Sequence, residues 1–176
     1  MRQLQLDQVR WIPAGQPWQK ARQLAPAADR LAMVRAATAH DPRHVVDEIE
    51  LKRSGPSYML DTVRALQTEA PETALWWLII GQDQCANLPT WHGWTELLGR
   101  VGLAVAARGD SPVAVPEAVR AAALHGIENL AMPPMPVSST AIRARVAAGE
   151  SPLVLAPELA PASVASYIAD HHLYAL

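Results

Sequence analysis

Leu75-Trp76-Trp77-Leu78-Ile79-Ile80 runs without a polar interruption into Gly81-Gln82-Asp83-Gln84, and the reading of that junction decides the fold. A short apolar run rich in aromatic and β-branched residues, closed by a turn signal, reads as a strand buried on both faces. A second such run covers residues 101–106, and shorter ones cover 9–12 and 45–51. Between them the apolar residues fall at helical spacing: Leu31, Val34 and Thr38; Leu60, Val63 and Leu66; Trp94, Leu97 and Leu98. The final third reads as mainly helical, over 113–124, 138–148 and 162–170, with a surface turn across the Ala/Pro-rich stretch 152–161. Strand and helix alternate, which predicts an α/β fold: a Rossmann-like, doubly wound parallel sheet with a helical C-terminal part. In such sheets ligands sit beyond the carboxyl ends of the strands, so the loops there are the places to search.

The composition sets the frame. In 176 residues half are hydrophobic and 18% are charged, with a net charge of −2, the profile of a globular chain. At this length about 70% of the unfolded surface can be buried in one core, so a single domain over 1–176 is expected. Residues 1–64 carry ten basic and seven acidic side chains (+3), and 65–176 carry five and ten (−5). That mild basic bias suits a phosphate-bearing small ligand and is too weak for a nucleic-acid footprint. The single cysteine, Cys85, excludes a disulfide framework and any multi-thiolate metal site and points to a reducing, cytoplasmic compartment. There is no apolar run long enough to span a bilayer and no signal-peptide core, so neither membrane insertion nor export is expected.

Four loops carry candidate chemistry. After the first strand, Pro13-Ala14-Gly15-Gln16-Pro17-Trp18-Gln19-Lys20 is held extended by two prolines and ends on a point charge able to meet a phosphate; a plain connector with a solvated lysine would look the same. Ser54-Gly55-Pro56-Ser57-Tyr58-Met59-Leu60-Asp61-Thr62 opens a helix, with Ser57 as N-cap and Asp61 in the first turn; capping alone accounts for both, or else the free N–H groups there bind a carboxylate or phosphate. Gly81 allows close backbone approach, and Asp83 can accept hydrogen bonds from the vicinal hydroxyls of a ribose; a turn that caps the next helix is the competing reading. In Trp91-His92-Gly93-Trp94, Trp94 belongs to a helix core, while Trp91 sits in the loop, where an indole face can stack on a flat heteroaromatic ring. His92 has no assigned role.

The sharpest local feature is Val137-Ser138-Ser139-Thr140-Ala141-Ile142-Arg143. Ser138 or Ser139 caps a helix whose first turn offers free N–H groups, and Arg143 adds a cation one turn in: an oligophosphate cradle, or simply a capped helix with a solvated arginine. His171-His172 lacks a second ligand cluster and reads as surface tail rather than metal site.

Taken in order, these fragments resemble the bacterial nicotinate-nucleotide adenylyltransferases of the nucleotidyltransferase superfamily. The likeness rests on Ile12-Pro13 to Pro17 with Lys20, Ser57-Tyr58 with Asp61-Thr62, Ile80-Gly81-Gln82-Asp83, and Thr90-Trp91 with Trp94. It continues through Val105 to Arg108, Ser138-Ser139-Thr140 with Ile142-Arg143, and Tyr167-Ile168 with Leu173-Tyr174. The resemblance implies ATP and nicotinic acid mononucleotide as substrates. It implies ATP contacts at Gly81, Asp83, Ser138, Ser139 and Arg143, and mononucleotide contacts at Ser57, Tyr58, Met59, Asp61 and Trp91. Arg143 and Lys20 would stabilise charge during transfer, and Mg²⁺ would arrive with ATP, with no dedicated metal site on the protein. Met59 stands where the family usually has threonine, a change that matters only if the hydroxyl, rather than the backbone N–H, meets the nicotinate.

The family opens with a strand, a Gly-rich turn and a His-x-Gly-His helix, and Met1 to Leu6 reads as the end of that helix. The chain is therefore expected to lack its N-terminal βα segment, which in the doubly wound order is central and would leave a gap flanked by unpaired backbone groups. The rival readings are a non-catalytic pyridine-nucleotide-binding remnant and a related adenylyltransferase with another acceptor, such as a pantetheine phosphate.

Overall fold

The computed structural model describes residues 1–15, 24–70, 74–107, 113–133 and 137–175. In chain order they form β1 (Val9–Trp11), α1 (Ala27–Thr38), β2 (His44–Val46), α2 (Met59–Glu69), β3 (Trp77–Gly81), α3 (Gln82–Asn87), a 3-10 turn (Leu88–Thr90) and α4 (Trp94–Leu98). There follow β4 (Gly102–Ala106), α5 (Glu117–Ala122), β5 (Ile127–Leu130), α6 (Ser139–Ala147), a second 3-10 turn (Pro152–Leu155) and α7 (Ala162–Asp170). The chain divides into two compact units, Met1–Ser57 with Pro136–Leu176, and Tyr58–Met135. Each holds one parallel sheet, β1-β2 in the first and β3-β4-β5 in the second. Parallel pairing requires a crossover between strands, and α1, the α3–α4 pair and α5 supply the three crossovers.

In the first unit Val9 pairs with His44 and Trp11 with Val46. The ladder is tied by the Arg10–Asp47 ion pair at 2.9 Å and by the Trp11 indole N–H donating to His44 Nδ1 at 2.8 Å. The core lies among the helices: Val146 of α6, Leu155 of the second 3-10 turn and Ile168 of α7 are buried, with Met33, Ile142 and Tyr174 against them. Two polar contacts join α7 to α1: Tyr167 donates to Asp29 at 2.9 Å, and Ser163 donates to the Ala36 carbonyl at 2.9 Å.

In the second unit β4 is the middle strand, and residues 102–105 are all buried, as expected for a strand covered on both faces. Leu103 and Val105 join Ile80, Cys85, Leu88, Leu98 and Val119 in one cluster, and Leu60, Val63, Leu97 and Val101 form a second where α2 meets α4. Burial inside the first cluster pushes the Cys85 thiol pKa up.

The structure corrects the sequence reading at several points. Leu75 and Trp76 precede β3, and Leu75 and Ile79 are exposed; β3 is an edge strand of its sheet, so unbroken apolarity there does not mean two covered faces. β2 ends at Val46 rather than residue 51. Of the helix expected over 113–124, only Glu117–Ala122 is helical, because Pro116 sets the N-cap. The mainly helical final third also contains β5, whose Glu128 and Asn129 hide it from a hydrophobicity pattern; its pairing to β4 comes through backbone, Leu103 to Ile127 and Ala106 to Leu130. The stretch expected as a turn at 152–161 buries Leu155. Among the described residues no helix is long and apolar enough to cross a membrane.

Candidate functional site

The expected ligand residues divide between the two units. In the second, β3 delivers Gly81 as the extended N-cap of α3 (φ −80°, ψ 163°). That φ is open to any residue, and among the described residues nothing lies within 4 Å of where a Cβ would stand. Asp83 is exposed in the first turn of α3. Gln82, which drew no attention as a sequence position, makes a two-point contact. Its Nε2 donates to the Ala114 carbonyl at 2.6 Å, and the Ala114 N–H donates to its Oε1 at 3.1 Å.

A second group gathers where α2 begins. Its N-cap is Tyr58, in extended conformation and without a side-chain capping bond, so the expectation that Ser57 caps this helix is corrected. Tyr58 meets His92, ring centroids 4.5 Å apart and tilted by 31°. Trp91 is half-buried and packs against both hydrophobic clusters, and its buried Nε1 has no hydrogen-bond partner among the described residues. Gly93 joins this loop to α2: its φ is +61°, and a Cβ there would stand 2.3 Å from Leu60 Cδ2. The left-handed backbone favours glycine, and a larger residue would also have to displace the Leu60 side chain. Tyr58, Met59, Asp61, Trp91 and His92 are thus brought to one corner of this unit.

Asp61 takes part in a charge network there. Arg64 pairs with Asp61 at 3.4 Å and with Glu96 at 2.6 Å, and Arg100 pairs with Glu96 at 2.9 Å. Hydrogen bonds from Arg64, then Arg100, hold the Glu96 carboxyl below its ordinary pKa.

The first unit carries the phosphate candidates. Ser138 is the N-cap of α6, as expected, its hydroxyl accepting from the Ala141 N–H at 3.4 Å. Ser139 and Thr140 are exposed on the first turn. Arg143 donates to Thr140 Oγ1 at 3.4 Å and meets no carboxylate among the described residues, whereas Arg145, two residues on, is neutralised by Glu150. Ser57 lies in this unit beside Gly15, whose Cβ would stand 3.0 Å from Ser57 Oγ and 2.2 Å from the Glu50 carbonyl. Lys20 falls outside the described residues.

Arg30 escaped the sequence reading: its guanidinium donates to the carbonyls of Ala14 (2.5 Å), Gly15 (3.3 Å) and Ala25 (3.2 Å). An arginine in the first turn after a Pro/Gly loop was the available clue, but backbone acceptors leave no mark in a sequence. The same holds for Gln82 and Ala114. No group of three or more His, Cys, Asp or Glu able to hold a metal occurs among the described residues, and His171 stacks on Tyr167 at 3.9 Å.

Residues 1–145 match the cytidylyltransferase-like family. A protein of Methylibium petroleiphilum named "Probable nicotinate-nucleotide adenylyltransferase" is 53% identical over 173 residues, covering 98% of this chain and 80% of the relative. One of Bordetella petrii with the same name is 44% identical over 175 residues, covering 98% and 86%. Among solved structures, the Plasmodium falciparum nicotinic acid mononucleotide adenylyltransferase complexed with NaAD superposes with a TM-score of 0.70 over 96% of this chain and 83% of that one. At 12% identity that likeness speaks for the fold, a nucleotidyltransferase Rossmann-like one. By its match over most of its length and its identity to these relatives, the chain belongs to the cytidylyltransferase-like family and, with those relatives, to the nicotinate-nucleotide adenylyltransferases.

Proposed function

We propose that this chain transfers the adenylyl group of ATP to nicotinic acid mononucleotide, releasing nicotinic acid adenine dinucleotide and pyrophosphate in NAD biosynthesis. The observation that carries this reading is 53% identity across 98% of the chain to a relative named for that activity. Both units belong, in this reading, to one nucleotidyltransferase domain, in keeping with a family match that runs from residue 1 to 145.

A phosphate oxygen of the mononucleotide attacks the α-phosphorus of ATP in line, and pyrophosphate leaves. No covalent enzyme intermediate forms, so the protein contributes positioning and charge stabilisation. Gly81, with no described residue over its Cα, and the exposed Asp83 suit the adenosine ribose. Tyr58, Met59, Asp61 and Trp91, with Ser57 just before them in the chain, suit the pyridine nucleotide, the Trp91 indole offering a stacking face. At α6 the capped helix start with Ser138, Ser139 and the uncompensated Arg143 suits phosphates; Lys20 is assigned to phosphate by its place in the motif. Mg²⁺ would enter with ATP, held by phosphate oxygens and water. The lone, buried Cys85 suits a reducing cytoplasm.

The test is incubation of the 176-residue protein with ATP, Mg²⁺ and nicotinic acid mononucleotide, following pyrophosphate and identifying the dinucleotide by mass. Turnover with this acceptor and none with phosphopantetheine supports the reading. Binding of the mononucleotide without pyrophosphate release overturns it in favour of a remnant that binds but does not react.

A further inference from the structure

Residues 113–115 lie against the first turn of α3, joined to it through Gln82 and Ala114. Val113 and Val115 are half-buried against the first hydrophobic cluster, while Ala114 between them is exposed, the two-residue alternation of a strand. Among the described residues the Ala114 peptide pairs with no strand. It finds its partner in the Gln82 carboxamide, which donates to the carbonyl at 2.6 Å and accepts from the N–H at 3.1 Å. A primary amide presents a donor and an acceptor side by side, so Gln82 satisfies both backbone groups as a neighbouring strand would. Gln82 sits between Gly81 and Asp83 on the first turn of α3, so the pair fixes the 113–115 segment within one side chain's reach of the two residues assigned to the ribose. No other residue type of this length offers both functions.

We infer that Gln82 is a positioning residue for the adenosine side of the site, its carboxamide holding residues 113–115 as a fixed wall beside Gly81 and Asp83. The inference rests on the ribose role proposed for those two residues. The test compares Gln82→Leu, Gln82→Glu, Ala114→Pro and Asp83→Ala with the parent protein, measuring KM for ATP, KM for nicotinic acid mononucleotide and kcat. Gln82→Leu removes both bonds, Gln82→Glu the donor, and Ala114→Pro the N–H from the opposite end, so the proposal does not depend on one variant folding. A rise of about fivefold or more in KM for ATP in these three, with the mononucleotide KM and kcat within twofold, is the expected result; a merely structural contact would not separate the two substrates. If Asp83→Ala raises KM for ATP and the Gln82 and Ala114 variants do not, the inference is overturned and the ribose assignment stands. If Asp83→Ala also leaves KM for ATP unchanged, the ribose assignment fails and the inference with it.

Discussion

Gly93 and Leu60 are in contact so close that any side chain at residue 93 would collide with the leucine, its Cβ 2.3 Å from Leu60 Cδ2. The contact packs the Trp91-His92 loop against the first turn of α2, next to the mononucleotide candidates on either side. Gly93→Ala is expected to cost about 1–3 kcal/mol from overpacking and about 1–2 kcal/mol more from the left-handed backbone. Urea unfolding measures the sum. In a Leu60→Ala background the packing part should vanish and the backbone part remain, and equal costs in both backgrounds would show that the contact does not constrain the loop.

Trp91 combines a packed indole with a buried donor that has no acceptor among the described residues. Trp91→Ala should weaken nicotinic acid mononucleotide binding by about 1–3 kcal/mol, the scale of a base stacked on an aromatic side chain. Trp91→Phe keeps an aromatic face and removes the unpaired N–H, so its affinity should stay within a few fold of the parent. Calorimetric titration of both variants separates stacking from packing, and unchanged affinity in the alanine variant would remove Trp91 from the site.

Arg143 stands without a carboxylate partner among the described residues, so removing its charge disturbs little else in the fold. Arg143→Gln is expected to leave the thermal midpoint near that of the parent while lowering kcat by about 10²- to 10³-fold, the cost of one donor aimed at developing charge. Lysine restores a point charge without the planar fork, and Arg143→Lys should recover only part of the rate. Steady-state kinetics with saturating mononucleotide reads both.

Glu96 gives a stability prediction with a definite sign. Its pKa in the folded chain lies below the ordinary 4.5 because Arg64 and Arg100 bond to the ionised carboxylate. A depressed carboxyl contributes stability that is fully present above about 4.5 and is lost as pH falls through the lower folded value. Glu96→Gln should therefore flatten the decline in stability on acidification below 4.5, and 1 M salt should shrink the difference between variant and parent at neutral pH, because the network is exposed. Denaturant midpoints between pH 3 and 7 test it.

Much of the second unit was legible from residue order. The run ending at Ile80-Gly81 and the run over 101–106 became β3 and β4 in parallel register, although apolarity matched full burial only in β4. The helix start at Ser138 was equally readable, since a capping hydroxyl acts on a neighbour three residues on. Where a partner is distant backbone, the signal is absent: β5 pairs through peptides that flank Glu128 and Asn129, Ser57 was chosen as a cap by type alone while the chain begins α2 after Tyr58, and Gln82 bonds to an alanine.

Local order along the chain thus determined this protein's class, its alternation of strand and helix, and its loops rich in ligand-type residues, because periodicity and capping depend on neighbours within a turn or two. Tertiary structure alone decided that His92 faces Tyr58, that Arg30 grips the carbonyls of Ala14 and Gly15, and that Gln82 stands in for a strand beside Ala114. Each of these joins groups that the chain separates by fifteen to more than thirty residues, and which donor reaches which acceptor is fixed only when the elements pack.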